Sequence, residues 1–439
     1  MKNQKVLSID LGSAYSKIAV RRGWDDETAL IHPGDLSDPG GGFVFPSLVV
    51  EIKRDGRHEW LIGRDAAAQV SLPGMKIHRY WKNALFGSSG TPTRDDSTEM
   101  GLHSVLQGDA VAVAIRFFSE LRSALARHPS QSEILGLPVR VGVPKLGSAD
   151  AVEDLIGHVL GEAGWEPAEG GATVAEPEAN LWGLLTRGRN ATWVPPRFDF
   201  QPWTGRSVSM ERMLEDAGFI RVMRRMRGFY RVLVTDVGAY TTDFGFVELD
   251  ASFTKEDWVR PVVRQLSVEL GIRELDQEVY GSLAEDQREG VRTLSTERWD
   301  RLKAQLYAGT EIALRNPSGG MLRVGGEGQG EAIASQIAGF AQRVLGARNR
   351  FLEDAGSPPI DANVITGGGA MIDALRTAIA SGRTGRHDQD FDLYDEDVAR
   401  STLERIGRGT EAAVDERVRK NRELIRGAAA LGGASVVLG

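Results

Sequence analysis

The stretch VLSIDLGSAYSKIAV (Val6–Val20) reads as a strand ending in an aspartate, a turn of glycine and small hydroxyl residues, and a second strand. The same order returns in VLVTDVGAYTTDFGFVEL (Val232–Leu249). A turn of this composition exposes backbone N–H groups with no bulky side chain in the way, so it can surround a phosphate. An aspartate at the strand end can hold a hard cation, usually through water. Two such turns facing each other predict a site for a polyphosphate–metal complex, and hence for a nucleotide.

Composition limits the classes of protein to consider. A chain of 439 residues is long enough for two to four compact units, and its net charge of −8 gives no basic footprint for nucleic acid. Because it has no cysteine, disulfides, thiol catalysis and thiolate zinc sites are excluded. The polar N-terminus and the lack of any run of ~18 apolar residues predict a protein with no signal peptide and no membrane span. We therefore expect a cytoplasmic protein.

Strand and helix signals alternate along the chain, which predicts an α/β architecture. Helical spacing predicts helices at Ala110–Ala126, Ala149–Ala163 and Glu331–Asp354, with a short buried strand at Val139–Val143 between the first two. The recurrence of the aspartate–glycine pattern predicts two related halves with a cleft between them. The last residues, Ala428–Gly439, are expected to form a tail of small residues.

The region between the two halves is the hardest part of the chain to interpret. Glycine, asparagine and two adjacent prolines predict a loop over Arg187–Phe200, followed by an arginine-rich helical stretch to Arg227. We expect residues 187–229 to be an insertion. Its arginines and aromatic residues suit a protein interface, but they are equally typical of a solvated basic helix with a few buried rings.

Two further motifs complete the pattern. VITGGGAMIDAL (Val364–Leu375) is a third strand–glycine–helix turn, and VAEPEANLWGLL (Val174–Leu185) places Glu176 just before a helix start. Together the four elements resemble the nucleotide-binding signatures of the superfamily that contains actin, the DnaK-type heat-shock chaperones and the sugar kinases. Taken from the N-terminus to the C-terminus, the four elements resemble its first phosphate loop, first connecting segment, second phosphate loop and adenosine loop.

The N-terminal half is most similar to the nucleotide-binding domain of the DnaK-type chaperones. The stretches that carry this likeness are DLGSAYS (Asp10–Ser16), FPSLV (Phe45–Val49), IGRDAAAQV (Ile62–Val70), KNALFG (Lys82–Gly87) and AEPEAN (Ala175–Asn180). WDRLKAQL (Trp299–Leu306) more weakly resembles the helix that contacts adenosine in that family. The resemblance covers most of the chain in patches.

The resemblance implies an actin-like ATPase fold, in which two ribonuclease-H-like lobes enclose a nucleotide cleft. Lobe I would comprise residues 1–190 with 412–439, and lobe II residues 230–411. The implied ligands are ATP or ADP with Mg²⁺. Asp10 and Asp236 would face each other and hold Mg²⁺ through its water shell, which needs only one or two protein carboxylates. Taken singly, each aspartate could equally be a turn or cap residue.

The resemblance also assigns contacts to the nucleotide. The residues implied at the phosphates are Gly12, Ser13, Ala14, Tyr15, Gly238, Ala239, Tyr240 and Thr241, and those implied at the nucleoside are Lys303, Gly367, Gly368, Gly369 and Met371. Thr241 occupies the position of a hydroxyl near the terminal phosphate. Glu176 matches the glutamate that orients the attacking water or the metal. As a first-turn carboxylate, Glu176 could instead simply complement the helix dipole.

Two departures from the chaperone pattern affect the expected chemistry. The lysine that reaches towards the terminal phosphate is replaced at the matching position, Ala67, so we expect slow or absent hydrolysis. Lys17 could restore the missing charge, or it could be a surface lysine on a strand. In the nucleoside region Met371 replaces an arginine, and Ala304 and Tyr307 replace residues that usually hydrogen-bond adenosine. Selectivity for the base therefore stays open.

Four functions fit these features. The first is an ATP-binding, slowly hydrolysing switch that acts on an unknown protein partner. The others are a filament-forming actin-like ATPase, a pseudo-ATPase that binds nucleotide without turnover, and a small-molecule kinase, against which DVGAYTTD (Asp236–Asp243) argues because it matches the chaperone form better. No peptide-binding domain is expected after Gly439, so we do not expect unfolded peptides to be held as the full chaperones hold them. The oligomeric state is open.

Overall fold

The computed structural model is a mixed α/β protein, as the alternation of strand and helix signals predicts. It describes residues 5–21, 28–37, 42–54, 56–70, 72, 74–86, 109–127, 132–185, 189–191, 229–250, 263–315, 318–326, 328–381, 389–391, 400 and 410–435. The predicted insertion, apart from 189–191 and 229, lies outside the described residues. Within them, no helix is long and apolar enough to cross a membrane.

The described strands and helices alternate along the chain. The strands are β1 (Leu7–Asp10), β2 (Tyr15–Arg21), β3 (Thr28–Ile31), β4 (Val44–Pro46), β5 (Val49–Arg54), β6 (Arg57–Ile62), β7 (Met75–His78), β8 (Val139–Val143), β9 (Thr173–Ala175), β10 (Arg189–Ala191), β11 (Phe229–Val237), β12 (Thr242–Asp250), β13 (Arg264–Val268), β14 (Ile312–Arg315), β15 (Met321–Val324), β16 (Ala362–Thr366) and β17 (Gln389–Phe391). The helices are α1 (Gly63–Ala67), α2 (Trp81–Phe86), α3 (Ala110–Ala126), α4 (Ser132–Leu135), α5 (Ala149–Glu162), α6 (Glu176–Leu185), α7 (Ile272–Gly281), α8 (Glu285–Arg292), α9 (Thr296–Tyr307), α10 (Gln329–Asp354), α11 (Asp373–Ser381), α12 (Glu411–Arg426) and α13 (Ala428–Ser435).

Two of the sheets share one topology. The first has the order β10-β3-β2-β1-β8-β9, with β4 beside β2, and the second has the order β13-β12-β11-β16-β17. In the first, β1 is antiparallel to β2 and parallel to β8, while β2 is antiparallel to β3 and β8 is parallel to β9. In the second, β11, β12, β13, β16 and β17 repeat these relations in the same order. The repeated sequence pattern is therefore the first hairpin of each sheet.

Apolar side chains explain why these elements pack as they do. All four residues of β1 are buried, as expected of a strand paired on both sides and covered on both faces. Helix α3 packs its apolar face, including Phe117, Phe118 and Leu121, into the core of the first sheet. Its first turn is capped by Asp109, whose side chain accepts a hydrogen bond from the Val111 N–H. The predicted helix Ala110–Ala126 is confirmed at both ends.

Helix α6 lies between the two sheets and connects them. Its Pro177 carbonyl approaches β12 so closely that a Cβ built at Gly245 would lie 2.8 Å from the Pro177 oxygen. Nearby, the Lys145 N–H after β8 donates a 2.7 Å hydrogen bond to Ser267 Oγ of β13. The carboxyl end of β8 therefore meets the second sheet directly, beside the start of α6.

The last described residues form a helix where a tail of small residues was expected. The prediction for Ala428–Gly439 is wrong over α13, which is buried against α6. A Cβ built on Gly432 would lie 1.7 Å from the Ala179 carbonyl oxygen of α6. The small residues are needed because the two helix backbones touch. The loop predicted over Arg187–Phe200 is also corrected in part, because β10 pairs in parallel with β3.

Candidate functional site

The first hairpin places an aspartate and a lysine side by side. Asp10 is the last residue of β1 and lies opposite Lys17 of β2 in the antiparallel register. The Lys17 Nζ donates a 2.8 Å hydrogen bond to Asp10 Oδ2, and the Lys17 side chain is only 14% exposed. Lys17 is therefore not a surface lysine on a strand. Its charge lies at the end of β1, beside the turn Gly12–Tyr15, which we call the first glycine turn; Gly238–Thr241 is the second and Gly367–Gly369 the third.

The second hairpin places two aspartates in the equivalent positions. Asp236 of β11 lies opposite Asp243 of β12, as Asp10 lies opposite Lys17. Asp236 accepts a hydrogen bond from Asn180 Nδ2, which comes from α6. Asp243 accepts hydrogen bonds from the Thr241 hydroxyl, at 3.2 Å, and from Ser267 Oγ. The predicted residues Asp236 and Thr241 thus belong to one cluster, which also contains Asp243, to which no role had been assigned.

Glu176 joins this cluster from the start of α6. It is 7% exposed, and it forms an ion pair with the Lys82 ammonium of α2. A Cβ built on Gly142 of β8 would lie 3.7 Å from Glu176 Cγ and 3.6 Å from Asp10 Cα, so these two acidic residues flank the same strand. We name Asp10, Glu176, Asp236 and Asp243 the carboxylate cluster. The sequence had predicted roles for three of its four members.

The carboxylate cluster is short of positive charge. Burial raises the pKa of Asp236 to about 6; Lys17 opposes this shift, while Asp10 and Glu176 contribute to it. Burial also raises the pKa of Asp243 well above its usual range, with Glu176 and Asp236 adding to the effect. Burial raises the pKa of Glu176 as well, although Lys82 opposes it. The cluster has four carboxyl groups and, among the described residues, only two lysines, Lys17 and Lys82, next to it. A bound divalent cation would reduce the repulsion among the carboxylates.

Lys82 is the residue that sequence reasoning missed. It is 4% exposed on α2, and its neighbours hold the first glycine turn. The Trp81 indole donates a 2.7 Å hydrogen bond to the Ser47 carbonyl, and Asn83 Oδ1 accepts one of 3.0 Å from Ser13 Oγ. The Ser47 N–H in turn donates to the Ala14 carbonyl at 2.9 Å. Lys82 belongs to the quoted stretch KNALFG, but nothing in that stretch indicates a partner 94 residues away.

The second glycine turn is fixed by the start of α7. The Gly238 N–H donates a 2.8 Å hydrogen bond to the Thr241 carbonyl, which closes the turn. The Gly238 and Ala239 carbonyls accept hydrogen bonds of 3.0 and 2.8 Å from the N–H groups of Ile272 and Arg273. With its carbonyls turned to α7, the backbone of this turn is held in a defined conformation. The Tyr240 side chain is hydrogen-bonded to Glu269, and burial together with this carboxylate raises its pKa to about 12.

The third glycine turn touches the carboxylate cluster. Gly367 has a φ of +86°, and a Cβ built there would lie 2.0 Å from Asp236 Oδ1. Gly368 and Gly369 continue the turn into a short 3₁₀ helix that ends at Met371. Met371 is 38% exposed. It lines a cavity of about 330 Å³ whose other wall is α12, with Arg419, Arg422 and Arg426 among its residues.

A separate polar network joins Tyr15 to Lys303. Asp300 of α9 accepts a 2.9 Å hydrogen bond from the Tyr15 hydroxyl and a 3.1 Å one from Arg79. Lys303 lies 3.1 Å from the same carboxylate and donates a 2.9 Å hydrogen bond to Asp276. These contacts span from the first glycine turn to the second half of the chain. Two of the predicted nucleotide contacts, Tyr15 and Lys303, are thus brought together through Asp300.

This network fills the space beside the first turn. Tyr307, at a position expected to contact adenosine, instead donates a 2.6 Å hydrogen bond to Asp276. The cavity next to Tyr15 and Asp300 measures only about 60 Å³. Pockets for small organic ligands usually measure ~300–1,000 Å³. A nucleoside that contacts Lys303 therefore requires the network to open, whereas the cavity at Met371 already has a suitable volume.

The residues present suit Mg²⁺ bound through its water shell, but not Mg²⁺ held directly by protein side chains alone. Among the described residues, no three acidic or imidazole side chains are placed so that they could hold an ion directly. Mg²⁺ keeps several of its waters and is commonly bound through one or two carboxylates plus phosphate oxygens. The residues that could hold it in this way are Asp10 and Asp236.

No protein-family model matches the chain, and no curated protein shows significant sequence similarity to it.

Proposed function

We propose that this protein binds ATP with Mg²⁺ in a cleft between its two main sheets and acts as a nucleotide-gated switch on a protein partner. In this proposal each sheet with its helices is a ribonuclease-H-like lobe of an actin-like fold, closest to the nucleotide-binding domain of DnaK-type chaperones. The glycine turns at Gly12–Tyr15 and Gly238–Thr241 would surround the phosphates. Gly367–Gly369 and Met371 would lie beside the nucleoside.

One observation carries the proposal. Asp10 and Asp236 end the central strands of two sheets that have the same strand order and directions, and each is followed by a glycine turn. Asp10 is buried, with 5% of its surface exposed, and Asp236 is partly buried, and each carboxylate has a polar partner, Lys17 for Asp10 and Asn180 for Asp236. Buried acids with few cations around them, placed next to turns that present backbone N–H groups, are suited to a metal-bound polyphosphate.

Glu176 supplies a group for hydrolysis. In that reaction a water oxygen forms a bond to the terminal phosphorus as the bond from phosphorus to the bridging oxygen breaks, giving ADP and phosphate. The proton lost by the water passes to the Glu176 carboxylate and then to solvent. The raised pKa of Glu176, which burial causes, suits a proton acceptor better than a fully exposed carboxylate would.

Switching follows from where the two halves touch. Asn180 bonds Asp236, and Tyr15 bonds Asp300, so hydrogen bonds join the N-terminal and C-terminal halves of the chain at two places. A ligand that enters beside the first turn must break the Tyr15 contact, and a ligand that binds both glycine turns draws the halves together. Hinge closure around a ligand is a common way to change a surface that a partner binds.

A pseudo-ATPase that binds nucleotide without turnover is the second candidate. The observation that favours it is the Lys82–Glu176 ion pair, because a carboxylate held by a lysine is a weaker proton acceptor. Ala67, at the position where the chaperones carry their lysine, is 2% exposed and has no charge to contribute. A filament-forming actin-like ATPase would be distinguished by sedimentation with and without nucleotide.

The test is calorimetric titration with Mg·ATP, combined with measurement of phosphate release. We expect the wild-type protein to bind, and the double variant Asp10→Asn with Asp236→Asn to bind at least ~30-fold more weakly, a difference of about 2 kcal/mol. Asp154→Asn, an exposed aspartate on α5, is the matched control and should bind like the wild type. If the double variant keeps wild-type affinity, the site is wrongly assigned. Binding without phosphate release identifies the pseudo-ATPase.

A further inference from the structure

Lys82 is fixed at the junction of the first glycine turn and α6. The residue before it and the residue after it both hold that turn, through Ser47 and Ser13. Its own ammonium reaches the Glu176 carboxylate, and the two side chains are 4% and 9% exposed. The lysine therefore lies between a predicted phosphate loop and the predicted proton acceptor, in a part of the cleft closed to solvent.

A structural role does not account for this ion pair. Removing an ammonium and a carboxylate from water is costly, and replacing a buried ion pair by apolar side chains of similar volume is often neutral or stabilising. Trp81 and Phe86 of the same helix belong to an apolar core, so an apolar pair could have occupied the space of Lys82 and Glu176. An ammonium carries three donors, so Lys82 can hold a second acceptor in addition to Glu176.

The geometry points to Lys82 as the residue that detects the terminal phosphate, exchanging its bond to Glu176 for one to that phosphate when a nucleoside triphosphate is bound. This inference rests on the proposed function and names the residue that discriminates ATP from ADP. In the absence of triphosphate, Lys82 keeps Glu176 neutralised. When triphosphate is present, the ammonium is drawn to the phosphate and Glu176 loses its cation. Lys82 thereby supplies, from α2, the charge that is missing at Ala67 of α1.

The exchange predicts opposite effects for the two partners. Lys82→Met removes a charge-assisted contact to the terminal phosphate, which should weaken Mg·ATP binding ~10–100-fold. Mg·ADP binding should change by less than ~3-fold, because ADP lacks that phosphate. Glu176→Gln removes the competitor for Lys82, so Mg·ATP should bind as tightly as to the wild type or more tightly. A lysine that only stabilises the fold would instead make both variants weaken both nucleotides together.

Calorimetric titration of the full chain with Mg·ATP and with Mg·ADP tests the inference. Lys82→Arg should keep most of the preference for ATP, and Lys53→Met, an exposed lysine with 51% of its side chain accessible, should leave both affinities unchanged. Because Lys82→Met leaves Glu176 buried without its partner, the double variant Lys82→Met with Glu176→Gln is titrated as well, and it too should lose the ATP preference. Circular dichroism checks that each variant is folded.

The outcomes separate this inference from the proposed function. If the wild type binds both nucleotides and the folded double variant keeps the wild-type ratio of ATP to ADP affinity, the role of Lys82 is refuted while the nucleotide site stands. If the wild type binds neither nucleotide, both proposals fail. A loss of ATP affinity in Lys82→Met and in the double variant, with ADP affinity retained, supports the exchange.

Discussion

The Tyr15 hydroxyl donates a 2.9 Å hydrogen bond to the Asp300 carboxylate, 285 residues further along the chain. Arg79 and Lys303 also contact this carboxylate, each at 3.1 Å. Burial opposes ionisation of Asp300, but the two cations and the hydroxyl outweigh it, and the pKa of Asp300 is lowered to about 2. One ionised side chain therefore connects the first glycine turn with α9, and the state of that carboxyl should control how firmly the two regions are joined.

Acid should break this connection. The pKa of Asp300 is lower in the folded protein, at about 2, than its ordinary value of 3.8, so the unfolded chain binds more protons between these values. The contribution of Asp300 to stability is thus complete above pH ~4 and is lost as the pH falls towards ~2, amounting to about 2 kcal/mol. Asp300→Asn should be less stable at pH 7 and show a flatter loss of stability from pH 4 to 2. Urea unfolding at a series of pH values measures both.

The matched control is Asp286→Asn, because Asp286 is an exposed aspartate in the first turn of α8. It should unfold with the same pH dependence as the wild type. If Asp300→Asn keeps the wild-type slope between pH 4 and 2, the carboxylate is not the ionised centre of the network.

The third glycine turn should tolerate a methyl group at one glycine and not at its neighbour. At Gly367 the backbone has a φ of +86°, and an added Cβ would lie 2.0 Å from Asp236 Oδ1. At Gly368 the φ is −65°, and nothing lies within 4 Å of an added Cβ. Gly367→Ala should lower the free energy of unfolding by at least ~2 kcal/mol and displace Asp236, whereas Gly368→Ala should change it by less than ~0.5 kcal/mol.

Thermal unfolding and Mg·ATP titration of both variants measure these effects. Displacement of Asp236 predicts that Gly367→Ala binds nucleotide more weakly even at a temperature where it is fully folded. Equal behaviour of the two alanine variants would show that the turn relaxes around the added methyl group.

The sequence predicted the parts of the fold that depend on local patterns. Strand, aspartate and glycine turn follow one another within 15 residues, so the hairpins that place Asp10 and Asp236 could be recognised from the repeat itself. The α/β class and the long helices α3 and α10 follow from apolar periodicity in the same way. These features need no knowledge of which distant segments meet.

What the sequence did not reveal depends on distant contacts. Lys82 has a role because α2 brings it to Glu176, and a lysine in an amphipathic stretch is ordinarily read as exposed. Asp243 was quoted within the second motif, but only the strand register places it opposite Asp236. The small residues of 428–435 suggested a tail because their burial is against the backbone of α6, which leaves no apolar periodicity to detect.

Helix glycines at two positions should respond in opposite directions to the same substitution. Gly432→Ala places a Cβ 1.7 Å from the Ala179 carbonyl oxygen, so α13 must move away from α6. We expect a loss of at least ~2 kcal/mol, as for other cases of overpacking. Gly157 of α5 has nothing within 4 Å of an added Cβ, and Gly157→Ala should stabilise the protein by ~0.5–1 kcal/mol because alanine favours helix. Chemical denaturation compares the two, and a neutral Gly432→Ala would contradict the close crossing.

Nucleotide binding should require a divalent cation, because the carboxylate cluster would repel a bare polyphosphate. Asp10, Glu176 and Asp243 are buried and Asp236 is partly buried, and neighbouring carboxyl groups add to the raised pKa values of Asp236 and Asp243. With EDTA in place of Mg²⁺, we expect the wild-type affinity for ATP to fall at least ~100-fold. Asp236→Asn offers a sharper test, since it removes a carboxylate that would help to hold the cation and would also repel the phosphates. It should weaken ATP binding in Mg²⁺ yet strengthen it in EDTA, relative to the wild type. Titration in Mg²⁺ and in EDTA measures whether the effect of Asp236→Asn on ATP affinity changes sign. If the variant weakens binding equally under both conditions, Asp236 does not act through a cation.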